Sequence, residues 1–429
     1  YAFYAQGSGL VTLTNQGLMT GSGSGAVVMA AGVVSNASGG TIVGGTNAVI
    51  GAATGFITVS NAGSIQGAGT AGNGVKFIGG GIVGNASGGT ITGGKYAVYA
   101  NGTGASTAAN AGLINGAIAG IIFRQGGYVS NASTGRLIGS IAGVAALGTI
   151  AATVANAGSI GGYKFGVDIY SVNGQVINSG TITSQVQNNG AGVDLKAGGN
   201  VTNTSSGHIS GEWIGVQIGA TTAAIGGTFV NAGSVFGGGG SPNIGAAVWI
   251  HGPGLISNAS SGTISGGPFG VVAYYATTLN NIGFVGGSAF AFDPVNAGFV
   301  QRVITNPGAQ FVGTVSGGNS IGSAVVSTLE LGSGAAGGTL SGIGTQFIEF
   351  GQITVDAGAS WTLTGVNTIL SGATLIDSCT IVNVGTETGG IVVTGGVVTN
   401  VSGATISSSF AAIYGPSGSS GGTVVNAGL

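Results

Sequence analysis

The sequence predicts an all-β chain wound as a single-stranded parallel β-helix, a right-handed solenoid of about 24 residues per coil. Three observations predict it. Glycine supplies 95 of 429 residues and proline only 6, without a Gly-X-Y period, so the chain is rich in corners and is not collagen. Charged residues are 4% and apolar residues 43%, which permits a buried core and excludes charge-driven disorder. Finally, an asparagine with an apolar side chain two residues before it recurs along most of the sequence.

That recurrence sets the coil. It runs through Asn15, Asn36, Asn61, Asn85, Asn110, Asn131, Asn156, Asn178, Asn203, Asn231, Asn258 and Asn281, and Asn306 extends it. The residue two before is Leu, Val, Ile or Phe at every rung except Ala108. Two corner phrases follow the Asn: "NAGSI", as at 61–65, and "NASGGTI", as at 36–42. They place Ile four or six residues after the Asn. Both spacings are even, so either returns Ile to the face of the Asn. The Gly-rich insert between them is a corner. A second phrase, "GVKF" (74–77), "GVDI" (166–169), "GVDL" (192–195) or "GVQI" (215–218), adds another short strand per coil. No coil can bury its inward face alone, but stacked coils share one core. Coils pair at ~4.8 Å, and about 18 of them account for the chain. An inward Asn then bonds to the next Asn and to the corner backbone, as one rung of a ladder. The same reading closes the "NAS" sites at 36, 85, 131 and 258 to glycosylation.

The rhythm divides the chain. Residues 1–290 form the array with the Asn ladder, 291–385 form variant coils including Trp361, and 386–429 start a second array. Asn383, Asn400 and Asn426 repeat Asn15, Asn36 and Asn61 at offsets of 364 to 368 residues, a super-repeat of about 365 residues. The expectation is a window on a longer repetitive fibre, or a subunit whose open ends its neighbours cover. Unpaired end coils are edge strands, which invite head-to-tail pairing.

The phrases "NAGSI", "NASGGTI" and "GVDI", with "FGQITVDAGASWTLTG" (350–365), resemble the β-helical passengers of bacterial autotransporter and filamentous-haemagglutinin-like adhesins. The resemblance covers nearly the whole chain. It implies secretion to the bacterial surface and adhesive or scaffolding work.

Chemistry is sparse. Seven basic and nine acidic residues leave a net charge of −2, with no electrostatic footprint for nucleic acid or anionic membrane. The uncharged run 137–158 is long enough to span a bilayer, but it carries the repeat register and reads as coils. Cys379, the single cysteine, cannot form an internal disulfide. His208 and His251 lack ligand partners, and no calcium-binding nonapeptide series is present, so no metal or cofactor is expected.

A polysaccharide-active β-helix remains the rival reading. Its best carboxylates are Asp168 and Asp194, which share one outward slot of adjacent coils near Lys164 and Lys196. The plainer reading of that slot is a solvated face. Tyr99, Ile122, Trp249 and Val272 occupy the same column, and exposed there they would form a lateral contact or a sugar-binding surface. The sequence is expected to form a non-catalytic extracellular rod of a bacterial surface fibre that self-associates head-to-tail or laterally and touches a surface glycan or matrix. A polysaccharide-binding protein and a monomeric adhesin stalk with a tip domain beyond this chain are the alternatives.

Overall fold

The computed structural model describes residues 1–5, 7, 9–22, 27–52, 55–220, 225–238 and 245–429. Strands, corners and turns make up these residues, and none of them is helical. The chain divides into unit 1 (Tyr1–Gly227 with Gly233–Gly245) and unit 2 (Thr228–Ala232 with Ala246–Leu429). Both are parallel β-solenoids, with about 17 turns in the chain and about 23 residues per turn.

In unit 1 each turn carries three short strands. A typical turn has Gly81–Asn85, Thr90–Gly93 and Tyr96–Ala100. The first ends on the ladder residue and is called here the Asn strand. The next is the Ile strand. The third carries the "GV" phrase where that phrase occurs. Each strand pairs in parallel with its equivalent in the next turn, so like residues stack in columns.

Three apolar columns fill the core of unit 1. The Asn strands contribute Val34, Val59, Val83, Ala108, Val129 and Val154 in register. The Ile strands contribute Ile42, Ile65, Ile91, Ile114, Leu137 and Ile160. Val49, Val75, Val98, Ile121 and Val144 come from the third strands. Each of these side chains is at most 2% exposed. Burial of each large one is worth roughly 1.5–3 kcal/mol. Ile42 follows a long corner and Ile65 a short one, yet both lie at 0% exposure, as the even spacing requires.

The corners stack as tightly as the strands. A Cβ on Gly63 would stand 2.1 Å from the carbonyl oxygen of Gly40 in the turn before. Backbone approach of this kind leaves room for glycine alone.

In unit 2 the Asn strands Gly254–Asn258 and Thr277–Asn281 lead into Gln301–Thr305, Thr328–Leu331, Gln352–Val355 and Thr374–Asp377. The ladder position becomes Thr305, Leu331, Val355 and Asp377 along this sheet. Asn306 therefore does not extend the ladder. It lies one residue past the inward position and bonds through Nδ2 to Asn280 Oδ1 at 2.7 Å. A slip of one residue reverses the face, which also turns Ile304 outward and Val303 inward.

The Asn pattern does resume at Asn383, but on a different sheet. Gly338–Leu340, Ser360–Leu363, Thr380–Asn383, Val397–Asn400 and Thr423–Asn426 form that five-stranded sheet. A three-stranded sheet, Val366–Thr368, Thr386–Thr388 and Thr405–Ser407, completes these turns. Trp361 is 2% exposed and donates its indole N–H to Gly332 O at 2.9 Å. The uncharged run 137–158 resolves into strands, and among the described residues no helix is long and apolar enough to cross a membrane.

Candidate functional site

The Asn ladder is the most regular polar feature. Asn36 Nδ2 donates to Asn61 Oδ1 at 2.8 Å, Asn61 to Asn85, Asn85 to Asn110 and Asn110 to Asn131, all at the same distance. Asn15, Asn156, Asn178 and Asn203 belong to the same run in unit 1. Each Nδ2 also reaches two backbone carbonyls. For Asn61 these are Gly63 O at 3.0 Å, in its own corner, and Thr90 O at 3.1 Å, in the next turn. In unit 2, Asn231 donates to Asn258 and Asn258 to Asn281 at 2.8 Å. On the second sheet, Asn383 donates to Asn400 at 2.9 Å and Asn400 to Asn426 at 2.8 Å. Asn36, Asn85, Asn131 and Asn258 are at most 2% exposed, so the four "NAS" sites are closed to a glycosyl donor.

The third strands carry the charged candidates. Asp168 and Asp194 are register partners in adjacent turns, below Gln217 and above Ala145. The slot is not solvated. Asp168 is 5% exposed and Asp194 1%. Phe165–Ile169 and Ala191–Leu195 are buried at every residue, on both faces of the strand. Lys196 explains how charge survives there. Its Nζ bonds to Asp194 Oδ2 and lies 3.9 Å from Asp168 Oδ1. The same Nζ sits 4.9 Å from the Phe165 ring centre and 5.1 Å from that of Tyr170, while Lys164 Nζ stands 5.2 Å from Phe165.

Burial pushes the Asp168 carboxyl up to about 7, and the charge of Asp194 adds to this against Lys196 and Lys164. Burial also raises Asp194, opposed by the charge and hydrogen bond of Lys196. For Lys196 burial acts downward, but the two carboxylates outweigh it and hold the ammonium above the usual lysine range. Asp168 Oδ1 and Asp194 Oδ1 have no hydrogen-bond partner. Both carboxylates are closed over, and Lys196 bridges them across adjacent turns. Lys196→Met should lower the thermal unfolding midpoint strongly at pH 8, since breaking a buried pair costs about 3–5 kcal/mol. The loss should shrink at pH 5, where the carboxylates take up protons. An equal loss at both pH values would mean that Lys196 acts by packing alone.

The apolar members of this column are largely covered as well. In register it runs Ile50, Lys76, Tyr99, Ile122 and Ala145 in unit 1, and Trp249, Val272 and Asp293 in unit 2. Ile122 is 7% exposed and Val272 3%, while Tyr99 and Trp249 are half-buried. Ile122 stacks beside Tyr99 and Val272 beside Trp249, so large rings flank both aliphatic side chains. Of the four side chains proposed for a lateral contact, Tyr99 and Trp249 keep partial exposure.

His208 pairs through Nδ1 with Ser234 Oγ at 2.7 Å. His251 is 1% exposed and its ring stacks on Tyr274 at 4.4 Å. Cys379 is free and half-buried. Among the described residues no three His, Cys, Asp or Glu side chains cluster to hold a metal ion. Several buried groups escaped sequence reasoning, the Asn47–Asn73 pair, Asp377 and Glu387 among them. Glu387 is 0% exposed, with neither carboxyl oxygen bonded, in a column between Asn367 and Ile406. "TET" reads as an outward polar strand, yet its two threonines face out and the glutamate faces in.

The fold and these columns define the class, a parallel β-solenoid held by asparagine ladders. Comparison with protein-family models, curated proteins and solved structures gave no match.

Proposed function

We propose that this chain is a structural and adhesive element of a bacterial surface fibre, working outside the cell as a stalk or filament segment and without catalysis. The observation that supports it best is where the polar chemistry goes. The ladder amides bond between successive turns, and the Asp168–Asp194–Lys196 cluster ties two more. What faces outward carries little charge, so binding rests on shape, hydrogen bonds and apolar contact. Self-association and contact with a surface glycan or matrix are the partners this function needs.

The test is retention of the purified chain on glycan-coated and matrix-coated surfaces, together with electron microscopy of its assemblies. Retention should survive high salt, because few charges are available to be screened. The wild-type chain should release no reducing ends from pectin-like or cellulose-like polymers. Reducing ends that disappear in Asp168→Asn would overturn the reading in favour of a polysaccharide-active enzyme.

A further inference from the structure

The outward face of the Asn strands in unit 1 carries an alternation that neither the ladder nor the core requires. Three residues before the ladder Asn, the first three turns with a long corner have Val33, Ile82 and Tyr128, whereas the fourth, at Asn203, has Asn200 and ends the row. The intervening turns, with a short corner, have Thr58, Thr107 and Thr153. All six belong to one column in register. The three large side chains stand out, at 38%, 39% and 44% exposure, and the threonines are half-buried. The face is therefore a row of knobs and gaps with a period of two turns, about 9.6 Å.

A partner that fills every gap must share that period, and a second copy of this chain does so by construction. The geometry points to a closed two-fold dimer of antiparallel copies, its axis lying between strands Gly81–Asn85 and Ser106–Asn110. About that axis Ile82 seats over the partner's Thr107, Tyr128 over the partner's Thr58, and Val33 over the partner's Thr153. Each knob enters a gap, and the contact is isologous, so it closes. An unstaggered parallel pair would instead set Tyr128 against the partner's Tyr128.

Three further observations fit. No outward position of the eight strands from Val11–Asn15 to Gly174–Asn178 carries a charge, so no ion is desolvated and like copies do not repel. Those strands present about 600 Å² per copy, or about 1,200 Å² in all, which reaches the lower end of stable specific interfaces. Beside the knobs runs a groove of about 430 Å³, floored by small residues such as Ser60, Gly84 and Ala109, which lets two sheets approach.

This inference rests on reading the chain as a self-associating structural element, and its test is separate from adhesion. Light scattering on the full chain should give twice the 40.4 kDa chain mass. Ile82→Lys and Tyr128→Lys should each weaken dimerisation at least tenfold while far-UV circular dichroism stays unchanged. In a Cys379→Ser background, the double variant Thr58→Cys/Tyr128→Cys should give covalent dimers with a short bismaleimide. Within one chain those positions lie three turns apart, about 14 Å. Either single variant alone should not cross-link, because like positions are equally far apart across the dimer. A monomer at every concentration overturns the inference, including one that still coats a glycan surface and so leaves the adhesive function standing. Efficient cross-linking of the single variants overturns it too, since that reports a parallel pair.

Discussion

Replacing Asn110 by alanine should destabilise the surrounding turns of unit 1 by about 3–5 kcal/mol. Asn110 is 2% exposed and sits in mid-column. It accepts from Asn85 at 2.8 Å and donates to Asn131 at 2.8 Å and to Gly112 O at 3.0 Å, while Gly112 N–H donates to its Oδ1 at 3.2 Å. Without it, the buried Asn131 Oδ1 and the part-buried Gly112 N–H lose these partners, and an orphaned buried group costs about 1–3 kcal/mol. Asn85 suffers less, because Gly89 O at 3.0 Å and Leu113 O at 3.2 Å still receive its amide. Solenoid stability is a sum of neighbouring turns, so a single unfolding midpoint would blur the effect. Amide exchange resolves it. Protection should fall in Gly81–Asn85 and Gly127–Asn131 and persist several turns away. Asn110→Asp probes the same rung differently, since an ionised carboxylate cannot donate to Asn131, and acid should restore part of the loss. Unaltered exchange in Asn110→Ala would show that the ladder contributes nothing to stability.

Acidification should stabilise both units. Burial holds Asp168 in unit 1 at about 7 and Glu387 in unit 2 at about 8, against ordinary values near 4. Asp194, Asp293 and Asp377 are raised in the same direction, chiefly by burial. Between about pH 4 and the folded values, the folded chain binds more protons than the unfolded one. Unfolding free energy therefore falls as pH rises through that window. A shift of three units corresponds to roughly 4 kcal/mol. His251 opposes the trend. Burial lowers it to about 4, so between pH 6.5 and 4 the unfolded chain takes the extra proton and stability is lost on acidification. One histidine against several carboxylates leaves a thermal midpoint that rises from pH 8 to pH 5. Asp168→Asn and Glu387→Gln should each raise the pH 8 midpoint and flatten the slope. A midpoint that stays level or falls on acidification would refute the assignment.

The repeat and its core were legible because their signals are local and periodic. Asn61 and Ile65 lie four residues apart, and Asn36 and Ile42 six, so parity alone gave the inward face. Three features were not legible, for separate reasons. Asn306 matches the series by type, and only pairing reveals that Thr305 holds the register with Asn281. Asn383 repeats the chemistry of Asn15, but a phrase that encodes a rung does not encode which sheet carries it. Asp168, Asp194 and Ile122 lie on three strands buried on both sides, whereas alternation assumes one wet face. The pairing of Asp194 with Lys196, two residues on, was readable as neighbourhood and not as burial. The row at Val33, Ile82 and Tyr128 was present in the sequence throughout. It becomes visible only when turns are sorted by corner length.

The ladder also has a sense of direction. Along each run Nδ2 donates forward to the Oδ1 of the following rung, and it also meets backbone carbonyls that only accept. No rung can be flipped without setting oxygen against oxygen, so the amide dipoles of a column all point one way. A folded turn then presents hydrogens to the next asparagine as that residue arrives from its corner. Once seated, the newcomer presents the same pair in turn. The column is in this sense a self-renewing template with unlike ends, its donors turned towards the later turns and its acceptors towards the earlier ones.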